Sequence, residues 1–369
     1  MNRILIAAAG TGGHVFPALA VAERLRRYGW QVVWLGTTEQ RLEARIVPAA
    51  GFMLEQIDMR GMRGHGLMRK LRAPWQLFRA FLQCRTLLRQ HRSQLVLTFG
   101  GYVCGPAGLA ARWSGIPLLV HEQNAVAGLT NKLLARVASH TMVGFTAAKN
   151  QLKNAEVTGN PLREDWLSEI INEPAEQASF RILVVGGSLG AQALNEAVPA
   201  AVSRLNDKGQ LKIMHQCGIG RIAAVEQAYQ QAGIEQVQVV EFIEAMHHAY
   251  RQADVVICRA GALTVSELAV VGTPAIFVPL PHAVDDHQTA NARELVTAGA
   301  GYLLPQSELK AIKPLTKLLG ELRSQPHLLL QLRRNAGKVA RPDATEAVVS
   351  QCERWAKAEQ SKAGDYDQK

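Results

Sequence analysis

Three glycine-rich segments have residue types and spacings that suit the binding of an anion. The first is Gly10-Thr11-Gly12-Gly13-His14, the second is Gly186-Gly187-Ser188-Leu189-Gly190, and the third begins at Gly100-Gly101. Glycine lets the backbone pass close to a ligand, and the N–H groups at the start of a helix attract anionic oxygens. The sterics of a tight turn explain any one of these segments, but three of them after predicted strands indicate a binding site.

Two further segments carry side chains that suit a nucleotide sugar. In the first, which starts at Cys258-Arg259-Ala260-Gly261, Glu267 lies about one turn inside a predicted helix. A carboxylate there can accept hydrogen bonds from a ribose diol while nearby N–H groups hold a diphosphate, although a favourable interaction with the helix dipole is the alternative. In the second, the polar side chains of residues 285–291 can hydrogen-bond to sugar hydroxyls, and a solvated helix cap is the alternative.

The alternation of short apolar runs with longer amphipathic stretches predicts parallel strands connected by helices. Two halves open alike, each with a strand, a glycine turn and a helix, and a polar stretch that follows Thr158-Gly159-Asn160-Pro161 separates them. We therefore predict an α/β protein in which two Rossmann-like domains with parallel sheets face one another. The predicted strands are 3–8, 31–35, 94–98, 117–121 and 140–144 in the first half, and 181–185, 212–215, 237–241, 254–258 and 274–279 in the second.

Two common nucleotide-binding classes lack their signatures in this chain. Neither helix-opening loop reads Gly-x-Gly-x-x-Gly, and the second predicted strand ends at Leu35-Gly36-Thr37-Thr38, without the acidic residue that binds a nicotinamide ribose. Glu39 is a poor substitute, so a nicotinamide dehydrogenase is a minor alternative. The chain contains no Gly-x-x-x-x-Gly-Lys-Ser/Thr motif, which excludes a P-loop NTPase.

Composition narrows the class of protein further. With 369 residues, of which 48% are hydrophobic and 20% charged, the chain can bury a large core in two domains. Five cysteines without a Cys-x-x-Cys pair argue against a zinc ribbon or a disulfide-stapled fold, and indicate reduced thiols in the cytosol. No apolar run approaches the length of a transmembrane helix, and the apolar run at the N-terminus is too short for a signal peptide.

The positive charge of the chain is concentrated in one segment. The net charge is +10, and the segment from Arg60 to His121 contains ten Lys and Arg residues and no acidic residue. Such a local positive field predicts an anionic partner, which by composition alone is nucleic acid, a phosphorylated substrate or an anionic membrane surface. The ten residues are Arg60, Arg63, Arg69, Lys70, Arg72, Arg79, Arg85, Arg89, Arg92 and Arg112.

A predicted helix within this basic segment has two apolar arcs. Leu77, Phe81, Cys84 and Leu88 share one arc, and Leu71, Trp75, Phe78 and Leu82 share the arc beside it. Packing of this helix against the rest of the domain needs only the first arc. We therefore predict that the second arc, flanked by Arg69, Lys70, Arg72 and Arg79, rests on an anionic lipid surface, with burial of both arcs as the alternative.

These motifs together resemble a bacterial peptidoglycan enzyme family, the N-acetylglucosamine transferases that act on undecaprenyl-diphospho-N-acetylmuramyl-pentapeptide, or lipid I. The resemblance runs in order along nearly the whole chain. It implies the GT-B fold, an inverting transfer of N-acetylglucosamine from UDP-N-acetylglucosamine to lipid I, which gives lipid II, and a peripheral location at the cytoplasmic face of the inner membrane. The matching segments, by number, are 10–18, 61–64, 99–102, 121–124, 159–163, 186–191, 259–267 and 285–291.

The resemblance also implies a division of labour between two domains. Residues 1–160 would form the acceptor and membrane-associating domain and 161–340 the domain that binds the nucleotide sugar. A final helix near 341–357 would return to the first domain, and a polar tail would occupy 358–369. The implied contacts are Glu267 with the ribose; Ser188, Ala262, Leu263, Thr264, Val265 and Ser266 with the diphosphate; Arg163 and Ile243 with the uridine side; Gln288 with the sugar; and Thr11, Gly12, Gly13 and Asn124 from the other domain.

The chemistry of an inverting transfer needs a base and a stabilised leaving group. The acceptor hydroxyl loses a proton as it attacks, and we assign His14 as the general base because its ordinary pKa is near neutrality. A histidine that only hydrogen-bonds the acceptor or the backbone is the alternative, and Glu122 and His121 are the reserve candidates. Main-chain N–H groups and Ser188 can stabilise the diphosphate, and we predict metal-independent chemistry without a cofactor.

Three other classes of protein remain for comparison. A nucleotide-sugar epimerase of the same fold would share the donor loops but would not need a surface that contacts lipid. A nucleic-acid-binding protein would explain the basic segment, yet it would not need Glu267 or the polar cluster at 285–291, so we predict no nucleic-acid partner. A scaffold protein explains neither feature.

Overall fold

The structure, a computed structural model, describes residues 1–39, 41–59, 67–167, 179–187, 190–206, 208–281 and 284–366. For 67–73, 284 and 359–366 it describes the backbone alone. Several predictions therefore fall outside the described part of the chain. They concern Ser188, residues 60–66, and the side chains of Arg69, Lys70, Leu71 and Arg72.

The chain divides into two compact units. The first comprises Met1–Glu164 together with Pro342–Lys369, and the second comprises Asp165–Arg341. Each unit contains one sheet in which all neighbouring strands are parallel, with helices between them. An all-parallel sheet buries both of its faces, which explains why most of the strands read as continuous apolar runs in the sequence.

The first unit has a seven-stranded sheet in the order β3-β2-β1-β4-β5-β6-β7. The strands β2 and β3 lie on one side of β1 in the sheet, whereas β4 and the strands that follow it lie on the other side. The strand order therefore reverses between β1 and β4. Ligands of open parallel sheets bind at the carboxyl edge beside such a reversal. The strands are β1 (Arg3–Ala8), β2 (Gln31–Thr37), β3 (Met53–Ile57), β4 (Leu95–Gly100), β5 (Leu118–Glu122), β6 (His140–Val143) and β7 (Ala155–Val157).

Helices of the first unit cover its sheet by burying apolar stripes. The first helix buries Val15, Leu19, Ala22 and Leu25, which recur at helical spacing, and Pro17 lies in its second turn. Three basic residues in its last turn interact favourably with the negative end of the helix dipole. The helices are α1 (Gly12–Arg27), α2 (Leu42–Ala49), α3 (Leu67–Gln90), α4 (Cys104–Trp113), α5 (Leu129–Leu134) and α6 (Thr146–Lys149).

The second unit repeats this plan with six strands in the order β10-β9-β8-β11-β12-β13, so its reversal lies between β8 and β11. Asp254 joins these two central strands, because its carboxylate accepts from the backbone N–H of Arg181 at 2.8 Å and pairs with the Arg181 guanidinium. The strands are β8 (Phe180–Val185), β9 (Leu211–Gln216), β10 (Val237–Val240), β11 (Val255–Cys258), β12 (Ala275–Phe277) and β13 (Gly301–Leu303). The helices are α7 (Gln192–Val202), α8 (Ile222–Gln231), α9 (Met246–Gln252), α10 (Ala262–Val271), α11 (His287–Thr297), α12 (Gln306–Leu309), α13 (Lys313–Ser324) and α14 (Pro326–Val339).

The last helix, α15 (Ala344–Tyr366), packs against α1 in the first unit and buries Val348, Val349, Cys352 and Ala356 there. It is longer than the sequence predicted, because the expected polar tail from residue 358 is helical as far as Tyr366. All ten predicted strands are confirmed to within two residues at either end. Three strands were not predicted, namely β3, β7 and β13.

Candidate active site

Two glycine loops of the first unit meet at the reversal between β1 and β4. The Gly10–His14 loop follows β1, and Gly100-Gly101 ends β4. Gly100 and Gly101 have φ angles of +115° and +93°, and a Cβ at Gly101 would lie 2.6 Å from the carbonyl oxygen of Ala9. Only glycine permits both this conformation and this approach of the two backbones. The sequence signal for a ligand loop therefore coincides with the edge where parallel sheets bind ligands.

His14 lies in the first turn of α1, and its ring packs against the Gly100-Gly101 loop. A Cβ at Gly100 would come within 2.8 Å of the imidazole Cδ2 and Nε2, so the absence of a side chain there makes room for the ring. Its Nδ1 lies 3.3 Å from the carbonyl oxygen of Ala9. Because a carbonyl only accepts, this contact requires the proton on Nδ1, and the neutral ring then carries its lone pair on Nε2. That tautomer is the one a base acting through Nε2 requires.

The two reserve candidates for the base have structural partners instead. Both oxygens of the buried Glu122 carboxylate are used: Oε1 accepts from the backbone N–H of Asn124 at 2.9 Å, and Oε2 accepts from the N–H of Gly128 at 2.9 Å and the amide of Asn131 at 2.8 Å. His121 is fully buried between the carbonyl of Gly159 and the amide of Gln123. Burial lowers the pKa of His121 to about 4. These contacts shape the loop after β5 and argue against a catalytic role for either group.

The other predicted residues of the first unit lie near the same edge of its sheet or after its last strand. Thr11 is the extended N-cap residue of α1, and its carbonyl accepts from the N–H of His14 at 3.0 Å. Gly12 and Gly13 open the helix, and Asn124 lies in the loop held by Glu122. The guanidinium of Arg163 lies 5.8 Å from the centre of the Phe16 ring, so this residue belongs to the first unit in the structure.

In the second unit, the glycine loop after β8 and the turn after β11 flank the reversal of the strand order. Gly187 and Gly190 have φ angles of +86° and +70°, and a Cβ at Gly190 would overlap the carbonyl oxygen of Cys217. The N–H of Gly190 donates to the carbonyl of Gly187 at 2.8 Å, which closes the loop before α7. Ser188 lies between these residues and outside the described part of the chain.

The turn after β11 delivers the N-terminus of α10 to this edge. Gly261 is its extended N-cap residue, Ala262, Leu263 and Thr264 form its first turn, and Val265, Ser266 and Glu267 follow. Ser266 donates its hydroxyl to the carbonyl of Ala262 at 3.0 Å. Glu267 is partly exposed, six residues into the helix. The helix start and the carboxylate of Glu267 therefore lie about one turn apart, and their role in donor binding stays a prediction.

Two residues hold this turn in place through contacts that the sequence did not predict. Arg259 donates to the carbonyls of Val278 at 2.9 Å and Pro279 at 3.2 Å, and also contacts Gln306. Asn291 is buried and donates to the carbonyl of Ala260 at 3.1 Å. Both residues lie in segments that the sequence analysis identified as candidate ligand-binding segments. The type and position of an arginine or asparagine, however, do not predict which carbonyl group it will bind.

Gln288 and Ile243 complete the predicted donor set in the second unit. The side-chain oxygen of Gln288 accepts from the N–H of Leu280 at 2.9 Å, so its amide nitrogen is the donor that it can offer to a sugar. Asp285 and Asp286 adopt left-handed backbone conformations immediately before α11, which form a sharp turn. Ile243 is partly buried in the connection between β10 and α9.

Helix α3 presents an apolar surface in the basic segment. Trp75, Phe78 and Leu82 are 65%, 50% and 41% exposed, whereas Cys84 and Leu88 are buried and Leu77 and Phe81 pack partly against the core. The alternative in which both arcs are buried is therefore wrong for the described residues. Trp113 at the end of α4 is also exposed and stacks edge-on against Phe81, with 6.2 Å between the ring centres.

Two further features are absent from the described part of the chain. No group of three or more His, Cys, Asp or Glu side chains in that part of the chain is arranged to hold a metal ion. Likewise, no helix in it combines the length and apolarity that crossing a membrane requires.

Two parallel-sheet units, each with glycine loops at the reversal of its strand order, place the protein in the GT-B class of glycosyltransferases. Residues 4–143 match the N-terminal domain of glycosyltransferase family 28, and residues 181–348 match its C-terminal domain. The chain therefore belongs to glycosyltransferase family 28.

Individual relatives cover nearly the whole chain. A protein of Idiomarina loihiensis named UDP-N-acetylglucosamine–N-acetylmuramyl-(pentapeptide) pyrophosphoryl-undecaprenol N-acetylglucosamine transferase is 54% identical over 358 residues, covering 95% of this chain and 98% of its own. A protein of Shewanella oneidensis with the same name is 50% identical, covering 95% and 97%. The crystal structure of Acinetobacter baumannii MurG has a TM-score of 0.82 at 42% identity and covers 96% and 100%. A UDP-GlcNAc 2-epimerase from Neisseria meningitidis, at 12% identity and a TM-score of 0.66, covering 95% and 100%, shares the fold alone.

Buried histidines predict how the stability of the fold depends on pH. Burial lowers the pKa of His121 and of His215 to about 4, whereas each binds a proton near pH 6.5 when unfolded. The unfolded chain therefore binds more protons between these values, and stability falls as the pH falls through this range. Between about pH 7 and about pH 5, each histidine should account for about 2 kcal/mol of lost stability.

Urea unfolding of the variant H215Q at both pH values measures this effect. The loss of free energy of unfolding on acidification should be smaller by about 2 kcal/mol than in the wild type. The variant H248Q, which replaces an exposed histidine, is the control. An unchanged loss in H215Q would contradict the assignment of a buried neutral imidazole.

Proposed function

We propose that the protein transfers N-acetylglucosamine from UDP-N-acetylglucosamine to the 4-hydroxyl of N-acetylmuramyl-pentapeptide in lipid I, which yields lipid II for peptidoglycan synthesis. The observation that carries this proposal is the 54% identity, across almost the full length of both chains, to a transferase named for this reaction. The glycine loops support it, because both units present them at the sheet edge that binds ligands.

We assign the donor to the second unit. Glu267 accepts hydrogen bonds from the ribose hydroxyls, and the N–H groups of the glycine loop after β8 and of the α10 N-terminus hold the diphosphate. Negative charge grows on the diphosphate as the sugar leaves, so preorganised donors stabilise the transition state more than the ground state. No metal ion is assigned a role in this step. In the second unit, the assigned contacts are Ser188 and Ala262 to Ser266 with the diphosphate, Ile243 with the uridine side and Gln288 with the sugar. The residues assigned from the first unit are Arg163, on the uridine side, and Thr11, Gly12, Gly13 and Asn124.

We assign His14 as the general base. Its Nε2 removes the proton from the attacking hydroxyl as oxygen bonds to the anomeric carbon and the bond to UDP breaks, which inverts the configuration. The support is the contact from Nδ1 to the Ala9 carbonyl, because it leaves the accepting lone pair on Nε2.

We further propose that the protein binds peripherally to the anionic cytoplasmic face of the bacterial membrane, where lipid I resides. The support is the exposed surface of Trp75, Phe78 and Leu82 on α3, within a segment that contains ten basic residues and no acidic one. Aromatic side chains can enter the acyl boundary while arginines and lysines pair with lipid phosphates.

Incubation with radiolabelled UDP-N-acetylglucosamine and a short-chain lipid I analogue tests the reaction. Transfer of label to the lipid is the expected result. An epimerase, the alternative with the same fold, would instead convert the donor without an acceptor. Formation of an epimerised nucleotide sugar without labelled lipid would contradict the transferase assignment.

The variant E267A tests the donor site. Loss of charge-assisted hydrogen bonds to the ribose should weaken UDP binding roughly 10- to 100-fold. The wild type should bind UDP more tightly than 2′-deoxy-UDP, and E267A should lose this preference. Calorimetric titration measures both, with E321A, at a partly exposed carboxylate that pairs with Lys317 in the same unit, as the control. A ribose preference that persists in E267A would place the ribose elsewhere.

The variant H14A tests the base. Turnover should fall by about 100- to 10,000-fold, while the affinity for UDP changes little, because the imidazole acts on the acceptor hydroxyl. Steady-state kinetics with both substrates measures this, and H140A, in the same unit, is the matched control. Near-normal turnover in H14A would eliminate the proposal.

The double variant W75E/F78E tests the membrane surface. It removes two exposed aromatic side chains and adds negative charge, so binding to phosphatidylglycerol vesicles should weaken at least about 100-fold. Transfer to a soluble acceptor analogue should be unchanged. The control I219E makes the same kind of substitution at a 79% exposed residue of the second unit. Unchanged sedimentation of W75E/F78E with vesicles would refute the surface.

A further inference from the structure

One peptide group connects the side chains of Glu43 and His14. The N–H of Gly10 donates to Glu43 Oε2 at 3.0 Å, and the carbonyl of Ala9 lies 3.3 Å from His14 Nδ1. This N–H and this carbonyl belong to the same peptide bond, which is planar and rigid. The two side chains are therefore the ends of a continuous chain of hydrogen bonds that passes through the Ala9–Gly10 peptide.

Glu43 is an unusual residue to find in this position. Its side chain is fully buried in the first turn of α2, and its other oxygen, Oε1, lies 3.0 Å from the hydroxyl of Thr37 at the end of β2. In the described part of the chain it has no ion-pair partner within 4.0 Å. Burial of a carboxyl group is costly, and an apolar side chain would fill the site at lower cost. The residue therefore needs an explanation beyond packing.

We infer that Glu43 is a positioning residue for His14 and acts through the Ala9–Gly10 peptide. This inference rests on the proposed role of His14 as the base. Acceptance of the Gly10 N–H polarises the peptide and makes the Ala9 oxygen a stronger acceptor for His14 Nδ1–H. The ring is thereby held in the tautomer with its lone pair on Nε2.

The same chain supports the charge that forms during the reaction. When Nε2 takes the acceptor proton, the imidazole becomes a cation, and its Nδ1–H bond to the polarised carbonyl strengthens. The proton remains on His14 until it passes to water after product release, and Glu43 itself gains no proton. An orienting acid plays this role towards the histidine of a serine hydrolase by direct contact, whereas here a peptide group lies between them.

Two substitutions at residue 43 separate positioning from packing. The variant E43M has a side chain of similar length but no acceptor, so kcat should fall about 10- to 100-fold with the donor KM within about threefold of the wild type. The variant E43Q retains an amide oxygen for the Gly10 N–H and should restore most of the activity. Equal activity of E43M and the wild type would overturn the inference.

A matched pair of threonine variants keeps the test decisive if E43M does not fold. T37V removes the hydroxyl beside Glu43, and T98V removes an equally buried hydroxyl that faces the Leu119 carbonyl in the same sheet. We expect kcat to fall roughly two- to tenfold in T37V and to stay unchanged in T98V. Identical activities of the two variants would contradict a role for the carboxyl group.

A double-mutant cycle and the imidazole tautomer distinguish this inference from the proposed base itself. In the H14A background, E43M should lower kcat no further, and a second, additive loss would overturn the inference. If H14A alone retains normal turnover, the base assignment fails instead. Nitrogen NMR of His14 then still tests whether Glu43 sets the tautomer of the imidazole. In the wild type, His14 should be a single Nδ1–H tautomer, and in E43M it should be a mixture of the two tautomers. An unchanged tautomer in E43M would refute the role of Glu43.

Discussion

The fold brings backbone segments together so closely at the glycine loops of its two sheets that only glycine fits. In the first unit, a Cβ at Gly101 would lie 2.6 Å from the Ala9 oxygen, and in the second a Cβ at Gly190 would overlap the oxygen of Cys217. Such close approach brings backbone, rather than side chains, to the carboxyl edge of each sheet. In the function proposed above, main-chain donors held in this way would be rigid, as the stabilisation of a developing charge requires.

Burial divides the polar residues near these edges into those that shape the loops and those that can act on a ligand. His121 and Glu122 follow one another at the end of β5 and both look catalytic in the sequence, yet each is buried with its hydrogen-bonding capacity taken up by loop groups. His14 differs because it is only partly buried and its Nδ1 contact leaves the lone pair on Nε2. The hydrogen bonds that a residue makes to its neighbours therefore decide its role more than its type does.

The pattern of apolar residues predicted most of the strands in both sheets, because the central strands are buried on both faces and consist of apolar runs. The three missed strands lack that signal: β3 contains Glu55 and Gln56, whereas β7 and β13 have three residues each. Helical spacing correctly separated the core arc of α3 from the exposed arc that contains Trp75. Glu43 could not be found in this way, because a glutamate in the first turn of a helix is ordinarily explained by the dipole, and its contact with Gly10 joins residues 33 positions apart.

The exposure of aromatic side chains on α3 to water is unfavourable, and the fold alone does not explain it. Two large apolar residues, Trp75 and Phe78, stack with 5.9 Å between ring centres on the solvent side of a helix whose other side already fills the core. Substitution by polar residues would leave that core intact and remove apolar surface from water. In the peripheral binding proposed above, a lipid boundary would remove the same surface from water, and its anionic headgroups would attract the basic segment that contains α3. For an enzyme whose acceptor is anchored in a membrane, this would also confine the protein to the plane in which its substrate diffuses.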